Sequence, residues 1–150
     1  MVARLLSPVR SAAQALPLLV LGTLLACSGT TEPSRSAEVL GTIAGYHQDD
    51  PHVEVPETAQ RGIPFTVAVT TYGNSCVSKV RTQVVQEPAR ATITPYDTSD
   101  ADMACREALI ALRHEATLQF SEAGAARVII RGLERPSGRT ITVERTVRVQ

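Results

Sequence analysis

The densest cluster of polar side chains in this 150-residue chain contains two histidines and three acids within eight positions. It consists of His47, Asp49, Asp50, His52 and Glu54. Imidazole and carboxylate groups at this density are ligands for a divalent metal ion, so one hypothesis is a metal-ion or small-ligand site in this loop. The Asp-Asp-Pro stretch that ends at Pro51 is also typical of an ordinary exposed turn, because proline fixes the bend. Calcium is not indicated, since calcium loops require a glycine and regularly spaced oxygens.

Three further patterns begin like functional motifs without completing them. His114 and Glu115 open the zinc-protease pattern HExxH, but Leu118 replaces the second histidine, and on a strand the first two side chains would face opposite sides. Ser75 follows a glycine as in a hydrolase nucleophile elbow, but the second glycine is missing. An acidic cluster, which predicts a solvated loop or a helix start, consists of Asp97, Asp100 and Asp102. We therefore predict no catalytic residues, no cofactor and no enzymatic activity, and we expect His114 in a loop or at a strand edge.

The amino-terminal segment has the charge and hydropathy pattern of a secretory signal peptide. Arg4 and Arg10 precede about fifteen uncharged residues, 12–26, whereas a transmembrane helix requires about twenty apolar residues. The sequence Leu-Leu-Ala-Cys at 24–27 resembles the lipobox of bacterial lipoproteins. That resemblance implies cleavage before Cys27, diacylglycerol on its thiol and further acyl chains, such as palmitate, on the new amino terminus. Several chains anchor a protein stably because each buried methylene contributes about 0.8 kcal/mol.

The lipobox resemblance also implies a destination. Ser28, in place of an aspartate, is similar to the sorting signal of lipoproteins sent to the outer membrane, if the host has two membranes. Residues 27–37 are small and polar and predict a flexible tether between the anchor and a domain that spans residues 38–150. A secreted protein with an incidental cysteine and an uncleaved anchor are the two alternatives.

Charge and cysteine count restrict the mature chain further. Loss of the two amino-terminal arginines leaves 13 basic and 15 acidic side chains, and no basic stripe indicates nucleic acid as a partner. Once Cys27 carries lipid, Cys76 and Cys105 remain, and an even pair in an exported chain predicts one disulfide. That bond would close a loop of about thirty residues and stabilise the fold by about 3.5 kcal/mol. Free thiols and half of a metal site are the alternatives, although no histidine lies at ligand spacing to either cysteine.

The rest of the chain alternates apolar and polar residues with a period of two. One predicted strand face consists of Ile63, Phe65, Val67 and Val69, and another of Ile141, Val143, Val147 and Val149. Glycine- and proline-rich turns separate seven or eight such runs, which predicts a mostly β protein with a β-sandwich fold. Arg145 falls on an inward position, so we expect a bulge or strand end there. Residues 99–112 instead contain helix formers with one apolar face, which predicts a possible short helix near 100–112.

Three stretches are similar to bacterial immunoglobulin-like domains. Residues 57–67 (ETAQRGIPFTV) look like the opening strand of such domains, 120–128 (FSEAGAARV) like a later hairpin and 145–149 (RTVRV) like the last strand. The resemblance implies a single immunoglobulin-like β-sandwich that acts in adhesion, scaffolding or binding. The core tryptophan of antibody domains is absent.

Taken together, these features predict a cell-envelope lipoprotein held at the membrane through lipid on Cys27. We expect it to act without catalysis, as a binding or structural module for an unknown envelope protein or ligand. The alternative is a metal- or small-ligand-binding lipoprotein that uses the loop from His47 to Glu54.

Overall fold

The computed structural model describes residues 36–48, 51–100 and 104–150, and this part of the chain forms ten strands in two sheets. The strands are β1 (Ser36–Leu40), β2 (Thr42–Ala44), β3 (Val53–Glu54), β4 (Thr58–Ala59), β5 (Phe65–Gly73), β6 (Val77–Glu87), β7 (Arg90–Asp100), β8 (Ile110–Leu118), β9 (Gly124–Glu134) and β10 (Arg139–Val149). The seven-stranded sheet runs β1-β7-β9-β10-β4, with β6 on β7 and β2 on β9, and the three-stranded sheet runs β3-β5-β8. The mostly β, sandwich-like architecture predicted from the sequence is thereby confirmed. No helix among the described residues is long and apolar enough to cross a membrane.

Side chains from the two sheets meet in one apolar core. Its fully buried members include Ile43, Val67, Val69, Ile93, Leu118, Phe120, Val128, Ile130 and Val147. Each contributes about 2 kcal/mol through removal of apolar surface from water. Val67 and Val69 of the predicted face of β5 are therefore buried, but Ala68 and Tyr72 on the opposite face are buried too, and Ile63 lies before the strand and is 54% exposed.

The first described strands occupy a fork between β7 and β9. β1 pairs antiparallel with β7, β2 pairs parallel with β9, and Gly41 lies between the two strands. The Gly41 N–H donates to the Pro95 carbonyl and its own carbonyl accepts from the Leu133 N–H, both at 2.9 Å. A Cβ at Gly41 would lie 2.5 Å from the Thr71 Cγ2. Glycine is required here because the backbone passes too close to the core for any side chain.

Side chains, rather than a backbone ladder, join the two sheets where β6 approaches β8. The Gln86 side-chain amide donates to the Gln119 carbonyl and accepts from the Gln119 N–H, so it occupies the place of a neighbouring strand. Further along, the Lys79 ammonium donates to the Arg113 carbonyl at 3.2 Å. These contacts satisfy part of the exposed backbone at this edge, which otherwise is a template for unwanted strand pairing.

The short helix predicted near 100–112 is wrong for the described part of that segment. Residues 104–109 have no regular structure, and Ile110–Leu118 forms β8, which pairs with β5 without interruption over nine residues. Residues 101–103 lie outside the described part. Helix propensity of a few tenths of a kcal/mol per residue is overridden because β8 buries His114, Ala116 and Leu118 against the other sheet.

Two smaller expectations also need correction. β10 runs in continuous register with β9 from Arg139 to Val149, so there is no bulge at Arg145, whose exposed guanidinium donates to the Glu144 carbonyl at 3.0 Å. A register shift occurs instead in β6, between Lys79 and Arg81. Ser36 and Ala37, which the sequence analysis assigned to the tether, belong to β1. Cys27, the predicted signal peptide and the rest of the predicted tether lie outside the described residues.

Candidate functional site

A cavity of about 300 Å³ opens where β5 ends and β6 begins. Its described lining consists of Val39, Leu40, Thr42, Tyr46, Tyr72, Gly73, Asn74, Val77, Asp97, Leu133 and Arg135. The lining comes from the first two strands, the end of β5, the start of β6, the middle of β7 and the end of β9. Its surface is polar and apolar in about equal parts, and a concave site that combines both is the usual form of a ligand pocket.

Two tyrosines and an arginine form one wall of this end cavity. The rings of Tyr46 and Tyr72 lie 5.9 Å apart between centroids, with 44° between their planes. Arg135 places its guanidinium carbon 5.2 Å from the Tyr46 centroid and also donates a hydrogen bond to the Tyr46 hydroxyl. The ring of His47 meets Tyr72 edge-on at 5.1 Å. Aromatic and cation–π contacts of this kind hold the wall in place.

Asp97 in the cavity lining belongs to a line of polar groups that crosses the core. His114 on β8 is fully buried and its Nε2 lies 2.9 Å from Oδ1 of Asp97 on β7. The His114 Nδ1 lies 3.2 Å from the Thr82 hydroxyl on β6. An ionised carboxylate can only accept hydrogen bonds, so the Nε2–H of His114 donates to Asp97. In a neutral imidazole ring, Nδ1 then accepts from the Thr82 hydroxyl. The line joins three strands and both sheets.

The second oxygen of Asp97 is left without a partner. Asp97 is 1% exposed, yet its Oδ2 has no hydrogen bond among the described residues, and neither does the buried Thr71 hydroxyl oxygen. Both side chains border Gly41, since a Cβ there would lie 3.0 Å from Oδ2 and 2.5 Å from the Thr71 Cγ2. A buried carboxylate oxygen is normally hydrogen-bonded, so Oδ2 of Asp97 lacks a donor among the described residues.

A disulfide braces the opposite wall. The sulfur atoms of Cys76 and Cys105 lie 2.07 Å apart, which is bonding distance, so the fold contains the predicted disulfide. The Asn74 side-chain oxygen accepts from the Cys76 N–H at 3.0 Å, and the Ser75 hydroxyl accepts from the Arg106 N–H at 2.8 Å. Ser75 therefore serves as part of this brace, and the covalent bond holds the turn that carries Asn74 into the cavity.

The loop proposed from the sequence as a metal site forms an ion pair in its described part. Arg113 binds both oxygens of Glu54, with Nη2 at 2.8 Å from Oε2, and this hydrogen-bonded partner lowers the pKa of Glu54 to about 2. The His52 Nε2 lies 3.3 Å from the same carboxylate. Within the described ranges no three His, Cys, Asp or Glu side chains are placed to hold a metal ion, and Asp49 and Asp50 lie outside them.

The buried polar line is what sequence reasoning missed. His114 was expected in a loop or at a strand edge and Asp97 in a solvated loop or helix start, and both expectations are wrong, because both residues are buried in strands. A usable signal exists in the period of two. Asp97 continues the inward face of Ala91 and Ile93, and His114 shares a face with Leu118. The expectation that His114 and Glu115 face opposite sides is confirmed, since Glu115 is exposed.

Comparison with known proteins identifies no relative of this chain. No protein-family model matches the chain, and neither a curated protein nor a solved structure is significantly similar to it.

Proposed function

We propose that this chain is a lipid-anchored, non-enzymatic protein of the cell envelope that binds a small polar ligand in the end cavity. The lipobox resemblance at Cys27 supports the anchor. The Cys76–Cys105 disulfide supports an oxidising compartment, where such bonds persist. Ser28 supports the outer membrane as the destination in a host with two membranes.

The unpartnered Asp97 oxygen is the observation that carries the binding proposal. A buried carboxylate with one free oxygen makes a donor-bearing ligand favourable at that point, because burial without a hydrogen bond costs about 1–3 kcal/mol or more. The same cavity presents two tyrosine rings and the Arg135 guanidinium. Convergence of aromatic surface with a few oriented polar groups is typical of sites that select small molecules.

The Thr82–His114–Asp97 line has the residue types of a hydrolase triad, but its setting favours structure over catalysis. A catalytic histidine must exchange a proton with a reacting group at an accessible site. His114 has no exposed surface, and its two nitrogens already contact Asp97 and Thr82. We therefore assign the line to positioning of Asp97, and we expect no turnover of ester or peptide substrates.

The anchor is tested by the intact mass of protein purified in mild detergent from its native envelope. A chain that begins at Cys27, carries acyl mass and gains two hydrogens on reduction supports anchor and disulfide together. Cys27→Ser should move the protein from the membrane to the soluble fraction. An unacylated chain that begins elsewhere would overturn the anchor.

Ligand binding is tested on the same full-length protein through its tyrosine fluorescence. The chain has three tyrosines and no tryptophan, and two of the tyrosines line the cavity. The probes are amino acids, polyamines, simple carboxylates and methyl glycosides at millimolar concentration. At least one class should give a saturable signal that Tyr46→Ala removes and the matched control Tyr96→Ala retains. Absence of a saturable response from every class would refute the cavity as a binding site.

A further inference from the structure

The end cavity contains opposite charges at two depths. Among the described residues that line it, Asp97 and Arg135 are the charged side chains. Asp97 is 1% exposed and Arg135 is exposed, so the negative group lies inside and the positive group lies at the mouth. We propose that the ligand is a small zwitterion, such as a free amino acid, whose ammonium group points inward and whose carboxylate stays at the mouth. This assignment deepens the proposed function and rests on it.

The inner end suits an ammonium group because it needs donors. Oδ1 of Asp97 is fixed by His114 at 2.9 Å, while Oδ2 has no described donor. A primary ammonium carries three N–H donors and a positive charge, so it both offsets the charge of the carboxylate and offers it donors. A hydroxyl offers one donor and no charge.

The aromatic wall favours the same group. The rings of Tyr72 and Tyr46 both line the cavity, and the Arg135 guanidinium carbon lies 5.2 Å from the Tyr46 centroid. A cation within about 6 Å of a tyrosine ring is attracted by the negative face of the ring, and the attraction grows where water is excluded.

The mouth suits a carboxylate because Arg135 is fixed there and most of its side-chain donors have no partner among the described residues. Its backbone N–H donates to the Ala44 carbonyl at 3.0 Å. Gly45 passes so near that a Cβ there would lie 2.1 Å from the Arg135 carbonyl oxygen. The guanidinium carries five N–H groups, and the Tyr46 hydroxyl accepts from Nη1. A planar guanidinium with free donors binds carboxylates through paired hydrogen bonds.

Charge balance separates the zwitterion from other ligands. A simple amine would satisfy Asp97 and face Arg135 with a like charge, and a simple carboxylate would be attracted by Arg135 and repelled by Asp97. A neutral sugar would leave both charges without a counterion. The volume of about 300 Å³ is at the small end of ligand cavities, which fits a molecule the size of an amino acid.

The experiment compares zwitterions with analogues from which one charge has been deleted. The acylated protein, purified in detergent, is titrated with glycine, L-alanine, 4-aminobutyrate and 6-aminohexanoate, and in parallel with butylamine, butyrate and methyl glucoside. Tyrosine fluorescence gives the Kd of each probe. The best zwitterion should bind about tenfold or more tightly than butylamine and butyrate, since each lost charged hydrogen bond is worth about that factor. The optimal chain length reports the separation between the two charges.

Two variants test which charged side chain of the cavity binds each end of the zwitterion. Arg135→Gln should remove the advantage of the zwitterion over butylamine, whereas the exposed, matched control Arg131→Gln should keep it. Asp97→Asn should remove the advantage over butyrate, and a melting curve of that variant shows whether the fold persists. If Asp97→Asn does not fold, the Arg135→Gln pair decides the assignment.

Each outcome separates this inference from the proposed function. Equal affinity for a single-charge analogue or for methyl glucoside overturns the zwitterion and leaves the cavity as a binding site. Binding of a zwitterion that Arg135→Gln does not weaken also overturns the inward-ammonium orientation. Failure of all the probes here overturns the zwitterion, and failure of every class in the wider panel overturns the cavity itself.

Discussion

The buried Asp97–His114 pair offers the sharpest test of the physical reasoning, because its members should be strongly coupled. Their side chains are 2% and 0% exposed and their atoms are 2.9 Å apart. His114→Leu leaves the Asp97 carboxylate buried without a donor on either oxygen, and loss of one partner of a buried pair costs about 3–5 kcal/mol. Asp97→Leu leaves one buried imidazole N–H unpaired, which costs about 1–3 kcal/mol.

The double variant Asp97→Leu/His114→Leu should be far more stable than the sum of the two single changes indicates. Replacement of a buried pair by apolar side chains is often neutral or stabilising, so we expect its stability within about 1 kcal/mol of the wild type. The coupling free energy is then about 3 kcal/mol or more. This would be a large fraction of the total stability, which is about 5–15 kcal/mol for a typical domain.

Urea unfolding at pH 7 with the disulfide intact measures these quantities, with far-UV circular dichroism as the signal. Equal slopes of free energy against urea for all variants show that only stability changed. The matched control is the exposed pair Arg127–Glu144, which is about half exposed at 3.3 Å and should show a coupling of about 1 kcal/mol or less. Additive effects of Asp97→Leu and His114→Leu would refute the reasoning, as would a double variant less stable than both single ones.

Three further predictions concern the frame around the cavity. Gly41→Ala should destabilise the fold by about 1–3 kcal/mol in urea unfolding, because the new methyl would lie 2.5 Å from a core carbon; a neutral result would contradict the close approach. Arg113 lowers the pKa of Glu54 from 4.5 to about 2, so the stabilisation by this pair is complete above about pH 4.5 and disappears as the pH falls to 2. The stability difference between wild type and Glu54→Gln should therefore shrink over that range in thermal melts, and a constant difference would count against the ion pair. Reduction of Cys76–Cys105, which are 29 residues apart, should lower stability by about 3.5 kcal/mol and weaken ligand binding, since the bond holds one cavity wall; a paired Cys76→Ser/Cys105→Ser variant should reproduce both losses.

Most of the strands could be predicted from the sequence because alternation reports a half-buried sheet directly. Val67 and Val69 in β5, and Val147 and Val149 in β10, lie on the faces that their spacing indicates. The period of two also places Asp97 on the inward face, although the charge of its side chain suggests exposure to solvent. The cost of burying this carboxylate is partly offset because His114, on a strand of the other sheet, supplies a hydrogen-bond donor.

The predicted helix failed because local preference and tertiary pairing disagreed. Alanine, leucine and glutamate between 104 and 112 favour a helix by small increments. Pairing of β8 with β5 satisfies the backbone and buries one face of the strand, and that gain exceeds the local preference. Only the partner strand, about 45 residues earlier in the chain, contains this information.

By itself the sequence determined the class of fold, the cysteine pair and the expectation of a lipid anchor. These are encoded in local spacing or in simple counts: a period of two, the two cysteines that remain once Cys27 is assigned to lipid, and a short motif after an apolar segment. The cavity was decided by tertiary structure alone. Tyr46, Tyr72, Asp97 and Arg135 are separated by about 25 residues or more along the chain, and they meet only because β1 and β2 enter the fork between β7 and β9. No local pattern predicts that meeting, since it depends on long-range strand pairing that forms as a whole.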